Sequence, residues 1–163
     1  MLDAGVARSW DQWLGVFVAV RRGGSGQDRL RPWAAERGPG RRMMTLYERV
    51  GGSSFFEALA ARFYDGVAGD PVLRPLYPAD LRGPAERLAG FLVQYWGGPT
   101  TYSDLRGHPR LRMRHAPFTI GVTERDAWRR HMWAAIEMSS ARPEERIELL
   151  DYFEHASEAM VNA

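Results

Sequence analysis

"PAERLAGFLVQYWGGP", residues 84–99, decides the fold class. Its apolar positions Leu88, Phe91, Leu92, Tyr95 and Trp96 follow the i, i+3, i+4, i+7, i+8 spacing that lays one stripe along an α-helix. Gly97, Gly98 and Pro99 then end it, because glycine takes the backbone angles that close a helix and proline cannot continue one. No stretch of the chain alternates polar and apolar residues with the period of two that a half-buried strand needs, so the expected class is all-α.

Upstream, "LYERV" (46–50) is a short helix stopped by Gly51 and Gly52, and Ser53 or Ser54 is expected to cap the helix that follows. That helix carries Phe56, Leu59, Phe63 and Val67 on one face and runs to about Ala68. Asp70 and Pro71 read as the cap and first position of a single turn, before an irregular stretch through Tyr77 and Pro78. Downstream, a short helix over 109–115 is closed by Pro117. Thr123 with Asp126 resembles a capping box and opens a helix to about Ser140 bearing Trp128, Met132 and Ile136. Pro143 opens the last helix, with Leu149, Phe153, Ala156 and Met160 on one side.

The chain has 163 residues, enough for one domain with a real core. Its net charge of +2 is unevenly spread: residues 1–42 hold eight arginines against four acids, and residues 43–163 hold fourteen against sixteen. A nucleic-acid module should wear its positive excess on the folded part, and here the excess sits in the extension. Residues 21–42 are rich in Gly, Pro and Arg without a sustained period, so 1–42 is expected to be a disordered extension or an upstream start-codon artefact, with the domain at 43–163. Lysine is absent, and the all-arginine usage is read as genome composition. Without cysteine there is no disulfide, thiolate-bound zinc or iron–sulfur cluster. "WLGVFVAV" (13–20) falls short of the about 20 residues that span a bilayer, and its flanks run the wrong way for a secretory signal. A cytoplasmic protein with no membrane partner is the expectation.

Six Trp, six Tyr and seven Phe point first to an aromatic core, yet Tyr64, Tyr77 and Trp128 would bring polar tips into the interior, where each needs a partner. "GHPRLRMRHAPF" (107–118) packs three arginines, two histidines and two prolines into twelve positions, with Arg106 just before it. Three readings stay open for it: a nucleic-acid patch, a solvated loop, or a site where His115 binds a metal beside arginines that meet anions. His155 reads as solvated or salt-bridged and His108 as a surface residue in a turn. His131 is either inward-pointing or a hydrogen-bonded core histidine.

"YERVGG" (47–52), "RFYDGVAGDPVLRPLYP" (62–78), "ERLAGFLVQYWGGPTTYS" (86–103), "RGHPRLRMRHAPF" (106–118) and "ERDAW" (124–128) together resemble the truncated haemoglobins, specifically their second group, the O type. The resemblance covers nearly all of 45–162 and implies a two-over-two helical sandwich around haem b, iron protoporphyrin IX. It implies His115 as the proximal iron ligand, with Arg87, Arg112 or Arg114 on the propionates and Leu111, Phe118, Ile120 and Met132 against the porphyrin. The distal face would hold Tyr64, Tyr77, Leu88, Phe91 and Trp128, with the two hydroxyls and the indole as donors to a bound ligand. No distal histidine is expected, since Pro84 and Ala85 offer no imidazole.

Those donors imply slow oxygen release. The resemblance therefore implies an oxygen-binding protein, also taking CO and NO, that carries out redox chemistry on NO or peroxide rather than bulk transport. A nitric-oxide dioxygenase or peroxidase-like activity, an external reductase and a monomer or homo-oligomer complete the expectation. The competing reading is a haem-free helical interaction module using the arginines of 106–114 on nucleic acid.

Overall fold

The computed structural model describes residues 43–163; the reading of residues 1–42 as an extension lies outside the described residues. Among the described residues there are seven α-helices and no strand: α1 Leu46–Arg49, α2 Ser53–Ala68, α3 Arg82–Tyr95, α4 Thr101–Arg106, α5 Leu111–His115, α6 Val122–Glu137 and α7 Pro143–Met160. A 3-10 turn, Arg74–Leu76, lies between α2 and α3. Helix α2 packs on both α3 and α6, and α6 packs on α7, so two helix pairs cross around a shared interior. Short α4 lies against α3 and short α5 against α7.

The stripe on α2 drives this arrangement. Phe56, Leu59, Phe63 and Val67 are fully buried, each removal from water being worth about 1.5–3 kcal/mol. Aromatic rings carry the packing from layer to layer. Phe63 meets Trp128 at 5.1 Å between centroids, Trp128 meets Phe153 at 5.6 Å, and Tyr95 meets Tyr152 at 4.3 Å. The stripe that set the class is inward as expected, with Leu92 and Trp96 buried beside Phe91.

Several helix starts differ from expectation, each for a local reason. Ser53 is already helical; Gly52, at φ 88°, precedes it without a side-chain cap. The Ser53 hydroxyl instead meets the Tyr47 hydroxyl at 3.2 Å. Helix α3 begins at Arg82, which puts Pro84 in its first turn, where a missing N–H costs nothing. At α6 the carboxylate of Glu124 takes the Gly121 amide at 2.8 Å, so Thr123 lies inside the helix and its pairing with Asp126 does not form the cap. Helix α4 was not expected; Thr100 bonds Asp104 at 3.3 Å, and Gly107 at φ 71° stops it. Thr45 and Glu48 form a full capping box on α1, with Thr45 N–H to Glu48 Oε2 at 2.8 Å and Glu48 N–H to Thr45 Oγ1 at 3.2 Å.

Candidate functional site

Between the helix pairs lies a cavity of about 400 Å³, within the range of pockets that hold cofactor-sized ligands. Its lining draws on α2 (Phe63, Tyr64), the 69–81 connection (Leu73, Tyr77), α3 (Arg87, Leu88, Phe91), α5 (Leu111, Arg114, His115), α6 (Trp128) and α7 (Phe153, Ala156, Met160). The wall is mainly apolar, with polar groups confined to a few positions.

The first such group is a pair of phenols. Tyr64 and Tyr77 stand edge to face at 5.4 Å between centroids. Burial pushes the Tyr77 hydroxyl up to about 12, although hydrogen bonding from Trp128 and from Tyr64 acts in the opposite direction. Burial, then the neighbouring Tyr77, raises Tyr64 further, with Arg87 opposing. Both hydroxyls therefore keep their protons at any physiological pH. Tyr64 and Trp128 are the polar neighbours of the Tyr77 hydroxyl, so three hydrogen-bonding tips gather at one part of the wall.

The second is the imidazole of His115 at the end of α5. Its Nδ1 lies 2.6 Å from the Leu111 carbonyl oxygen, which can only accept, so Nδ1 carries the hydrogen and donates. In the neutral ring Nε2 then holds the lone pair. The position of the ring follows from a five-residue helix anchored at both ends. The Arg114 guanidinium donates to the carbonyls of Pro109 (2.8 Å) and Arg106 (3.1 Å), and the Asn162 amide donates to the Phe118 carbonyl at 2.9 Å.

A buried clamp ties the connection carrying Tyr77 to helix α6. Asp70 accepts from the amides of Val72 (2.8 Å) and Leu73 (3.0 Å), from Arg130 at 2.6 Å and from His131 Nε2 at 2.7 Å. The His131 hydrogen bond, first, and the Leu73 amide hold the Asp70 carboxyl well below the usual carboxylate range. The His131 ring sits flat against α2 because Gly66 has no Cβ; one added there would lie 2.4 Å from Nδ1.

The family model "Bacterial-like globin" matches residues 45–162. The chain belongs to the bacterial-like globins. It is 39% identical over 116 residues to the group 2 truncated hemoglobin YjbI of Bacillus subtilis (strain 168), an alignment covering 71% of this chain and 87% of that protein. The X-ray structure of a thermostable hemoglobin from Thermobifida fusca superposes with a TM-score of 0.72 at 55% identity, covering 74% of this chain and 98% of the other. The truncated oxygen-avid haemoglobin from Bacillus subtilis gives 0.69 at 38%, covering 73% and 100%. The resemblance to group II truncated haemoglobins therefore holds, and the crossed helix pairs are the truncated globin fold. As a globin the chain is a haem protein for small diatomic ligands such as O2.

Of the residues expected at this globin's site, the structure brings His115, Tyr64, Tyr77, Trp128, Leu88, Phe91, Arg87, Leu111, Arg114, Phe118 and Ile120 onto the cavity wall. Met132 and Arg112 are not brought there. Met132 is fully buried in the core against which α6 packs, and Arg112 is exposed on α5. Pro84 is buried in the wall, at the position expected to lack an imidazole. Sequence reasoning passed over Phe63 and Tyr102 as site residues, although Phe63 lay on the recognised stripe of α2. Asp70 was read correctly as a cap, but its bonds to Arg130 and His131 join positions 60 and 61 residues apart and leave no local signature. His108 and His155 are exposed, as expected, and His131 takes the hydrogen-bonded option.

Proposed function

We propose that the cavity holds haem b, iron protoporphyrin IX, with His115 Nε2 as the protein's ligand to iron. The observation that carries this reading is the Nδ1–H to Leu111 carbonyl bond, which leaves Nε2 as the free lone pair of a ring on the cavity wall. Among the described residues no three His, Asp or Glu gather to hold a bare ion, so a single imidazole suits an iron already carried by a porphyrin. Arg87 and Arg114 line the same cavity and match the two propionates by charge, and Leu111, Phe118 and Ile120 supply apolar contact.

When bound, haem would supply an iron able to take O2, CO or NO. The chain's part is to direct protons and exclude water. Tyr77, with Tyr64 and Trp128 donating to its oxygen, would turn its O–H toward the ligand; Leu88, Phe91 and Phe63 keep the space dry, where such a bond counts for more. Tyr64 and Trp128 act through Tyr77, as positioning groups.

A fixed donor in a dry pocket slows ligand release. Slow release suits oxygen-dependent chemistry on NO or peroxide in the cytoplasm, with electrons from an external reductase, better than bulk transport. The oxygen-avid relative from Bacillus subtilis is consistent with this reading. Reconstitution with hemin, reduction and exposure to CO tests the haem site: a Soret band that shifts on CO supports it. A colourless chain that binds nucleic acid in a salt-sensitive way would restore the competing module reading. Mixing the oxygenated protein with NO and measuring stoichiometric nitrate then tests the reaction.

A further inference from the structure

From Leu105 to Thr123 the chain contains no acidic residue and four arginines, while the rest of 43–163 holds ten arginines against sixteen acids. The fold gathers this segment at the wall of the haem cavity. The Arg114 guanidinium lies on the carbonyls of Arg106 and Pro109, which draws the turn bearing Arg106 and Arg110 against α5. The ion pairs of Arg49, Arg82, Arg125, Arg129, Arg130, Arg142 and Arg146 neutralise those arginines, whereas among the described residues no carboxylate stands against Arg106, Arg110 or Arg114. Arg110 also adopts φ 42°, a left-handed conformation that side chains other than glycine and asparagine rarely take. Such outliers gather where a chain is shaped for function rather than for stability.

Apolar side chains stand among these charges. Leu105 is 80% exposed, Met113 54% and Phe118 42%, the last also lining the cavity. Arginine, methionine and aromatic residues are the types enriched in protein–protein interfaces, and a polynucleotide backbone offers an exposed leucine no apolar partner. The acidic remainder of the domain would repel an extended polyanion, but not a small protein that presents one acidic patch.

We propose that Arg106 and Arg110, with Leu105, Met113 and Phe118, form the docking surface for a small acidic electron-carrier protein, placed beside the haem ligand His115. The assignment of the partner as an electron carrier rests on the haem reading above. In the step it serves, one electron leaves an anionic flavin hydroquinone, which becomes the neutral semiquinone, and converts ferric iron to ferrous; no proton changes hands.

The test uses the full-length chain and a recombinant flavodoxin as the acidic carrier. Calorimetric titration at low ionic strength compares the wild type with R106E/R110E and with R62E/R82E, which makes the same charge change elsewhere. The expected result is at least tenfold weaker binding for R106E/R110E, a flatter salt dependence, and near wild-type binding for R62E/R82E. R106Q/R110N removes the same charges with asparagine in the left-handed position, and replaces R106E/R110E should that variant misfold. With haem bound, reduction by flavodoxin should slow in parallel, while reduction by neutral photoreduced riboflavin and the CO-bound spectrum stay unchanged. Equal losses in both double variants, no loss in either, or substitutions that weaken binding to polyadenylate or anionic vesicles but not to flavodoxin would overturn the proposal. A failure of the haem reading shows separately, as a wild type without a Soret band, and leaves the binding comparison to judge the docking surface.

Discussion

Tyr77→Phe is the perturbation that most sharply separates the roles of the three polar groups in the cavity. It deletes the hydroxyl proposed to accept from Tyr64 and Trp128 and to donate to the ligand, while the ring edge-on to Tyr64 stays. A net hydrogen bond to a ligand is worth about 1.4 kcal/mol, and that converts to an about tenfold faster release of oxygen. Two donors in the cavity wall would also lose that acceptor, which should lower folding stability by about 1–3 kcal/mol. Stopped-flow displacement of oxygen by CO reads the rate, and CO release serves as a control because CO accepts hydrogen bonds poorly. Trp128→Phe removes only a bond to the Tyr77 oxygen and should raise the rate by less than Tyr77→Phe does. Burial holds Tyr77 up to about 12, so wild-type release should remain flat through about pH 10, where an ordinary tyrosine ionises. The reasoning fails if Tyr77→Phe leaves the rate unchanged while Trp128→Phe raises it tenfold, for then the indole is the donor.

Asp70→Asn should cost about 2 kcal/mol at pH 7, since it weakens charge-assisted bonds to Arg130 and His131. The folded Asp70 carboxyl lies below its unfolded value, so its stabilisation is present above about pH 4 and lost as the pH falls further. Denaturant titrations of wild type and variant should therefore converge in acid, and a constant gap down to the lowest pH would contradict the clamp. Gly66→Ala places a Cβ 2.4 Å from His131 Nδ1, forces the ring off Asp70, and should destabilise by about 1–3 kcal/mol in thermal melts. Phe63→Ala empties the contact between α2 and Trp128 and should cost about 3–5 kcal/mol, with a small loss ruling out its place at the centre of the core.

Much of the fold was legible because its helices carry wide apolar stripes, and a stripe is a local property. Phe56, Leu59, Phe63 and Val67 had to face one way, and the long helices α2, α3, α6 and α7 emerged within a few residues of expectation. The short ones were harder. Five or six residues give barely more than one turn, so α4 is held by Tyr102 packing on α3 rather than by any period of its own. The α6 cap shows a different limit: Thr123 and Asp126 have the right spacing, but Gly121 and Glu124 have it too, and only the path of the preceding chain chooses.

The site divides in the same way. The long ordered resemblance named His115, Tyr64, Tyr77 and Trp128, which all line the cavity, while spacing alone left His115 with three competing roles. The grouping of the three donors could not be read, because Tyr64, Tyr77 and Trp128 sit on three separate elements and nothing local brings their tips together. Met132 fell off the wall because a helix of sixteen residues has room for one residue toward the cavity and another toward the core within a single turn.

Replacement of His115 by Gly, with and without added imidazole, tests the central claim most directly. The wild type should take one hemin per chain and give the reduced spectrum of a single imidazole ligand. His115→Gly should lose that spectrum and regain it when free imidazole enters the space the side chain left. A His115→Gly protein that binds hemin with the wild-type affinity and spectrum, indifferent to imidazole, would contradict the account.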